Sequence, residues 1–498
     1  MSGGRSDELR RLSRQHWAQD RPQDAFEAAW AAFDLDPDRR VKALLARLLE
    51  DYPAALQPGR RADYLKLLTD REVEPDLIST AGWQLLLHSR VLADGAPDSD
   101  FAALAFDLTR DELVLALLRE SPVYFAPAER LLTGLRRWLL SSGEWRQHPE
   151  IIAALTRQMQ LNGGAWPFDE VERTQFAKAE CSSMASAYVP VRAPRTKAIA
   201  ANARDPVTGR VTAQYEGWPY PAWTRITVGE PSSLPDVIRE IDGKLAETLP
   251  VAADMLVAGC GTGRQAAYIA RRFPDAAITA IDVSEASLDY ARRQCGVLGI
   301  ENVRFLKLDL HDVAQLGQHF HAIHCGGVLH HLPSPERGLK VLAGVLHRGS
   351  VMHIMVYNRL QRLMVAAAQT LINDLIQHPV NDDLLRRVRQ RILQKGQNPP
   401  ASYVIWMNDF GTLPGAHDLL LHRHEDPFDV TRVEHALDLA GLRLLSFEMR
   451  SPVVRARYDA MAPEDTKHQD FKSWSRFARS DPFATVSHFR FWCRKKPA

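Results

Sequence analysis

The feature that most constrains this chain is a glycine-rich turn that joins a short apolar run to a helical pattern. The run 255–258 is followed by Gly259-x-Gly261-x-Gly263, and the helical pattern begins at once. Glycines let the backbone turn sharply and let a ligand approach where a Cβ atom would collide. The first N–H groups of a helix can bind a carboxylate or a phosphate. The turn therefore predicts a ligand site at the end of a buried strand.

Short apolar segments and amphipathic helical segments alternate through the C-terminal half. The apolar segments are rich in Val, Ile and Leu and are too short for helices, as expected for parallel strands covered on both faces. Such alternation is typical of a doubly wound α/β sheet. The seven predicted strands are 255–258, 277–283, 303–308, 321–325, 351–357, 442–449 and 488–494.

Residues 1–175 are predicted to form an all-α domain, because apolar residues recur there at helical spacing with alanines between them. The stretch 23–38 resembles the second helix and the closing Asp-Pro turn of a tetratricopeptide repeat. Later helices keep no firm period of about 34 residues. An irregular all-α domain and a degenerate repeat array both stay open.

A segment rich in Pro, Gly and aromatic residues, 176–235, is predicted to connect this domain to an α/β domain, 236–498. Two insertions interrupt the α/β alternation, at about 358–429 and 450–487. They begin at the carboxyl ends of the fifth and sixth strands. Open α/β sheets bind ligands at this edge. We therefore expect both insertions to form a lid that selects the substrate.

The composition excludes several classes of protein. Of 498 residues, 45% are apolar and 25% are charged, which excludes a mostly disordered chain. Lys and Arg number 62 and Asp and Glu 61, so no overall attraction to nucleic acid or to an anionic membrane is expected. The five cysteines form no CxxC pair, the first residues are polar, and no window has roughly 18 apolar residues in a row. We expect a soluble, cytoplasmic protein.

The second predicted strand ends in Asp282, 19 residues after Gly263. An acid at that edge can accept hydrogen bonds from both hydroxyls of a ribose. A dinucleotide-binding turn has its third glycine at the position that Arg264 occupies here. The spacing therefore favours a cofactor whose only anionic group is an amino-acid carboxylate, and an NAD-dependent oxidoreductase is the weaker alternative.

The glycine turn, Asp282, Asp309 after the third strand and the segment 325–332 together resemble class I S-adenosylmethionine-dependent methyltransferases. The resemblance implies a seven-stranded Rossmann-like sheet whose last strand is antiparallel and lies beside the fifth. It also implies S-adenosyl-L-methionine as the cofactor. Contacts to that cofactor are then expected from Gly259, Cys260, Gly261, Gly263, Asp282, Val283, Asp309, Leu310, Cys325 and Gly326.

The same resemblance assigns roles to these residues. The glycines would line the methionine part, Asp282 would hold the ribose hydroxyls, and Asp309 would bind the adenine amino group. Cys325 and Gly326 would flank the sulfonium. The chain departs from the family at Val257, where members usually carry an acid. The whole-chain plan also resembles a bacterial group that pairs tetratricopeptide-like helices with this domain.

The candidates for catalysis lie where the fourth and fifth strands end. The resemblance implies an in-line displacement at a methyl group that positive sulfur already activates, so the enzyme must align the reactants and exclude water. A base is required only where the acceptor must lose a proton, and histidine suits neutral pH. His330, His331 and Tyr357 are the candidates, and a structural role for each stays open.

Three further clusters have two interpretations each. The aromatic residues Tyr215, Trp218, Tyr220 and Trp223 either form a wall over the cofactor or are buried between domains. A basic helix over 385–395 either grips an acidic substrate or RNA or presents a solvated face. The cluster His422, His424, Glu425 and Asp426 resembles a metal site, but no wider ligand set accompanies it and no metal is predicted.

The sequence thus predicts a methyltransferase that acts on a small molecule or a peptide, with the N-terminal helices as a platform for a protein partner or for self-association. A non-catalytic helical scaffold with a cofactor-sensing domain is an alternative. Membrane association is not expected. Nucleic-acid methylation is a weaker option, because the sequence has no Asn-Pro-Pro-Tyr motif. The sequence does not fix the acceptor, its reacting atom, the use of a base, the oligomeric state or the pathway.

Overall fold

The chain folds into two units in the computed structural model, which describes residues 2–89, 106–169, 172, 174–175, 204–376, 379–480 and 488–496. Unit 1 groups Met1–Ser13, Pro22–Ala193 and Met364–Leu421, and unit 2 groups Arg14–Arg21, Pro194–Leu363 and His422–Ala498. The described part of unit 1 is helical, and unit 2 contains the sheet. Of the predicted connecting segment 176–235, residues 176–203 lie outside the described residues.

The α-helices are, in chain order, α1 (Ser2–Ala18), α2 (Pro22–Leu35), α3 (Arg39–Asp51), α4 (Arg61–Thr69), α5 (Pro75–Ser89), α6 (Glu112–Glu120), α7 (Ala126–Ser142), α8 (Pro149–Leu161), α9 (Pro206–Gly217), α10 (Leu234–Arg239), α11 (Gly243–Ala246), α12 (Arg264–Arg272), α13 (Glu285–Val297), α14 (Pro335–Gly344), α15 (Arg359–Thr370), α16 (Asp382–Lys395), α17 (Leu413–Leu421), α18 (Val430–Leu439), α19 (Pro452–Met461) and α20 (Phe471–Ser480). None of the helices in the described ranges combines the length and the apolarity that a membrane crossing requires.

Helix α3 illustrates how the sequence forms the helical unit. The carboxylate of Asp38 caps the helix by accepting the N–H of Val41, which satisfies a group that has no partner within the helix. Leu44, Leu45 and Leu48 then recur at helical spacing and are all buried. The prediction of an all-α N-terminal region is confirmed for the described residues, and the tetratricopeptide-like interpretation of 23–38 stays a prediction.

Residues 364–421 belong to the helical unit although they interrupt the α/β pattern. On α16 the guanidinium of Arg389 is fully buried, and its Nη2 lies 2.8 Å from Oε2 of Glu129 on α7. Arg386 donates from Nε to the carbonyl of Gly164 at 2.7 Å. Most of the predicted insertion at 358–429 therefore packs within the helical unit, and its role as a lid that selects the substrate stays a prediction. Both arginines are buried, so neither lies on a solvated helix face.

The sheet of unit 2 has seven strands in the order β3-β2-β1-β4-β5-β7-β6. Strands β1 to β5 pair in parallel, and β7 is antiparallel to both β5 and β6. The predicted seven-stranded sheet with an antiparallel last strand beside the fifth is confirmed. The strands are β1 (Asp254–Ala258), β2 (Ala277–Asp282), β3 (Val303–Lys307), β4 (Phe320–Gly326), β5 (Leu346–Tyr357), β6 (Leu442–Phe447) and β7 (His488–Lys495).

Apolar side chains cover both faces of this sheet. Met255 lies in one buried cluster and its neighbour Leu256 in the other, since successive side chains of a strand point to opposite faces. The described part of the predicted second insertion, 450–480, adds to one of these clusters. There Trp474 of α20 packs against Phe447 of β6, with ring centroids 4.4 Å apart. Whether this insertion selects a substrate stays a prediction.

Candidate functional site

The glycine turn between β1 and α12 has a backbone that only glycine adopts readily. Gly259, Gly261 and Gly263 have φ angles of 67°, 52° and 83°. A Cβ atom on Gly259 would lie 2.3 Å from the side chain of Val328, and one on Gly263 would lie 2.5 Å from Cβ of Ala291. Both the backbone and the space therefore require glycine at the two ends of the turn.

Asp282 closes the turn from the neighbouring strand. Its Oδ2 accepts the N–H of Gly261 at 2.7 Å and its Oδ1 accepts the N–H of Ser284 at 2.9 Å. Burial raises the pKa of Asp282 above its ordinary value, and the carboxylate of Glu216 acts in the same direction. The structure thus brings the predicted ribose acid and the glycine turn together at the carboxyl edge of β1 and β2, with Val283 directly after Asp282.

Asp309 lies at the same edge, after β3. Its Oδ1 accepts the backbone N–H of His311 at 2.8 Å and lies 3.0 Å from Nδ1 of the same histidine. Burial would raise the pKa of Asp309, but the hydrogen bonds from His311 hold it below its ordinary value. Asp309 is therefore a carboxylate, and the buried side chain of Leu310 follows it.

Cys325 and Gly326 end β4. The Cys325 side chain is fully buried in the sheet core, and burial raises the pKa of its thiol to about 12. A Cβ atom on Gly326 would meet Oε1 of Gln265 at 2.7 Å. The thiol of Cys260 is also buried, which raises its pKa well above the ordinary value. Both cysteines are therefore protonated packing residues, and Cys325 offers a ligand its backbone only.

The two adjacent histidines after β4 have different environments. His330 is fully buried and stacks on Tyr357 with ring centroids 3.8 Å apart. Its Nδ1 accepts the N–H of Tyr357 at 3.3 Å, so its proton is on Nε2. Burial lowers the pKa of His330 well below its ordinary value. His330 is therefore a neutral ring. The lone pair on its Nδ1 accepts the N–H of Tyr357, the last residue of β5.

His331 has the opposite tautomer. Its Nδ1 lies 2.9 Å from the carbonyl oxygen of His424, and because a carbonyl only accepts, Nδ1 carries the proton. The lone pair is then on Nε2. The ring stacks on His422 with centroids 3.8 Å apart. Of the three residues predicted for catalysis, His331 is the one whose tautomer places the proton on Nδ1 and the lone pair on Nε2.

His331, His422 and Glu425 bring two ring nitrogens and a carboxylate oxygen within 4.8 Å of one another. His422 accepts the N–H of His424 at Nδ1, and its Nε2 lies 3.3 Å from the hydroxyl of Tyr215. Glu425 forms an ion pair with Arg362. These contacts hold His422 and Glu425 in place, and the absence of a metal stays a prediction.

The aromatic segment before β1 lies on the glycine turn. The carbonyl of Pro221 accepts the hydroxyl of Thr262 at 2.5 Å, and the indole of Trp223 donates to the carbonyl of Thr262 at 2.8 Å. Trp223 is buried, whereas Tyr215, Trp218 and Tyr220 are partly exposed. The segment therefore anchors the turn through Trp223, and sequence reasoning did not find Thr262, which lies inside the glycine motif itself.

Comparison with known proteins matches this region to a family. Residues 255–349 match the family model described as a methyltransferase domain. An uncharacterized protein of Synechococcus sp. is 29% identical over 326 residues, which cover 59% of this chain and 73% of that protein. Trans-aconitate 2-methyltransferase of Deinococcus radiodurans is 34% identical over 104 residues, 21% of this chain and 38% of that enzyme.

Solved structures of other proteins align as well. PKMT2 from Rickettsia typhi, in complex with AdoHcy, aligns with a TM-score of 0.35 and 15% identity. The alignment covers 50% of this chain and 49% of that chain. This chain therefore spans about half of that protein and less than half of the Deinococcus enzyme.

Proposed function

We propose that this chain transfers a methyl group from S-adenosyl-L-methionine to a small molecule or peptide, since residues 255–349 match the family model of a methyltransferase domain. The observation that carries the proposal is the hydrogen bond between Asp282 and Gly261, which joins the ribose acid to the glycine turn. The methyltransferase match and the sheet order support it.

The residues at the turn fit this cofactor. Asp282, Asp309 and the glycines would hold it, with the acids toward the adenosine and the glycines toward the methionine part. The spacing of the glycines disfavours a pyrophosphate, because a dinucleotide-binding turn has its third glycine where Arg264 lies here. When bound, the cofactor supplies a methyl group on positively charged sulfur. An NAD-dependent oxidoreductase therefore receives no support, and neither does a purely cofactor-sensing scaffold.

The chain's own contribution to the reaction is a base and an ordered pocket. His331 would accept the acceptor's proton at Nε2, while its Nδ1–H stays bonded to the carbonyl of His424. That bond fixes both the tautomer and the orientation of the ring. His330 and Tyr357 would support this arrangement by stacking at the ends of β4 and β5.

Ligand titration and turnover test the proposal directly. Calorimetric titration with S-adenosylhomocysteine and with NAD is expected to show saturable binding of the first only. Turnover is then followed as S-adenosylhomocysteine release in fractionated extract metabolites, with the His331→Ala variant in parallel. Saturable binding of NAD alone would contradict the proposal, and tight S-adenosylhomocysteine binding without turnover in any fraction would favour the scaffold.

A further inference from the structure

Glu216, near the end of α9, reaches the start of the helix that follows the ribose acid. Its Oε1 accepts the N–H of Glu285 at 2.7 Å and its Oε2 accepts the N–H of Ala286 at 3.2 Å. These residues begin α13, about 70 positions further along the chain. Only 17% of the Glu216 side chain is exposed. The carboxylate is therefore held in place close enough to Asp282 to act on its pKa.

The first N–H groups of α13 all have acceptors within the protein. Asp282 accepts from Ser284, Glu216 accepts from the next two residues, and the Ser284 hydroxyl accepts from Ser287. The N-terminus of a helix ordinarily offers these groups to an anion such as a phosphate. At this helix the protein's own carboxylates take them, so no such donor remains for a phosphate on the ribose.

Charge reinforces this effect. Two carboxylates, Asp282 and Glu216, lie on consecutive N–H groups, and an anionic ligand would meet both. Lys307 is a nearby cation, with its Nζ 4.0 Å from Oε1 of Glu216. Without the Glu216 carboxylate, two N–H groups and this ammonium would lose their shared acceptor, and such a set of donors favours a phosphate.

We propose that Glu216 is a specificity-determining residue: it fills the anion position beside the ribose, so that the pocket accepts an adenosine with free ribose hydroxyls and rejects a 2′-phosphorylated one. The inference rests on the proposed adenosine cofactor. It adds a selection step that comes from the segment before β1, because Glu216 lies outside the matched residues 255–349.

Competition binding tests the inference without any methyl acceptor. Adenosine and adenosine 2′-monophosphate displace bound S-adenosylhomocysteine, and the ratio of their inhibition constants is measured for the wild-type chain and for Glu216→Ala. We expect the variant to shift this ratio toward the 2′-phosphate by about tenfold or more, since it regains charge-assisted donors and loses a repelling carboxylate. Asp289→Ala is the matched control, because Asp289 is an exposed acid on α13 that pairs with Arg292.

Each outcome decides the question. An unchanged ratio in Glu216→Ala, or an equal shift in Asp289→Ala, overturns the inference while leaving the proposed function intact. Failure of the wild-type chain to bind S-adenosylhomocysteine overturns the proposed cofactor instead, and the inference with it. If Glu216→Ala does not fold, Glu216→Gln takes its place. Its amide keeps one acceptor oxygen and has no charge, so a smaller shift in the same direction supports the inference and no shift overturns it.

Discussion

The Oδ2 atom of Asp282 lies 2.7 Å from the backbone nitrogen of Gly261. The acid that ends β2 thus fixes the middle glycine of the turn after β1, so one carboxylate shapes the turn and also faces the ligand edge. A substitution at Asp282 therefore acts on both parts of the proposed cofactor site at once.

Asp282→Ala is expected to weaken S-adenosylmethionine binding by roughly 30-fold or more, since each lost hydrogen bond to a charged group costs about 1.5–3 kcal/mol. Calorimetric titration measures the change, and circular dichroism checks that the variant folds. Asp289→Ala removes an exposed acid from the adjacent helix and should bind as the wild type does. Equal affinities for the two variants would refute the assigned ribose contact.

His331→Ala is expected to lower kcat by about 10²–10⁴-fold, the usual contribution of a positioned base. The affinity for S-adenosylmethionine should change little, because the cofactor contacts are assigned to other residues. Single-turnover kinetics measures the rate and calorimetry the affinity. His319→Ala, at an exposed histidine before β4, is the control. A kcat within twofold of wild type would show that no base acts here.

Acid is expected to destabilise the fold through His324. Burial lowers the pKa of this histidine to about 3, against an ordinary value of 6.5. Between these values the unfolded chain binds a proton that the folded chain does not, so the unfolding free energy falls as pH falls, by about 1.4 kcal/mol per pH unit. Urea unfolding from pH 6 to pH 4 should show a shallower slope for His324→Leu. His319→Leu, at an exposed histidine, is the control. Equal slopes of unfolding free energy against pH for the wild type and His324→Leu would disprove the lowered pKa of His324.

Gly263→Ala is expected to destabilise the chain more than Gly299→Ala. Both glycines have positive φ angles, 83° and 65°, so alanine is strained at each by about 1–2 kcal/mol. At Gly263 the added Cβ also meets Cβ of Ala291 at 2.5 Å, whereas at Gly299 nothing lies within 4 Å. Overpacking adds about 1–3 kcal/mol. Urea unfolding compares the two, and similar losses would contradict the close packing of the turn.

Glu129→Ala is expected to destabilise the helical unit by about 3–5 kcal/mol, because it leaves the buried guanidinium of Arg389 without its carboxylate. Adding Arg389→Met should recover much of this loss. Asp374→Ala breaks the more exposed pair with Arg391 and should cost at most about 1 kcal/mol. Thermal unfolding measures all three, and equal effects at Glu129 and Asp374 would argue against a buried pair.

The sheet could be predicted from the sequence because patterns within a few residues determine its strands and turns. Short apolar runs, helical spacing and the glycines at 259, 261 and 263 each act within a few residues of the backbone that they shape. The position of Asp282 and Asp309 at one edge of the sheet was also predictable, since the carboxyl ends of parallel strands meet there.

The contacts that the sequence did not predict join distant segments. Arg389 and Glu129 are 260 positions apart, so the periodicity of α16 gave no sign that its basic residues are buried. Glu216 follows no motif, and its role depends on where α9 lies. His330 and His331 are adjacent, so the sequence did not show which of them is the better candidate base. Only their hydrogen bonds to Tyr357 and His424 distinguish them.

The helical unit is built from three stretches of the chain, two before the sheet and one between β5 and β6. No single truncation isolates this unit, and deletion of residues 1–175 would remove Glu129 while keeping Arg389. Exchanging the helical part with that of another protein would need several recombination breakpoints within one gene. We therefore expect the two units to be inherited together rather than shuffled as modules.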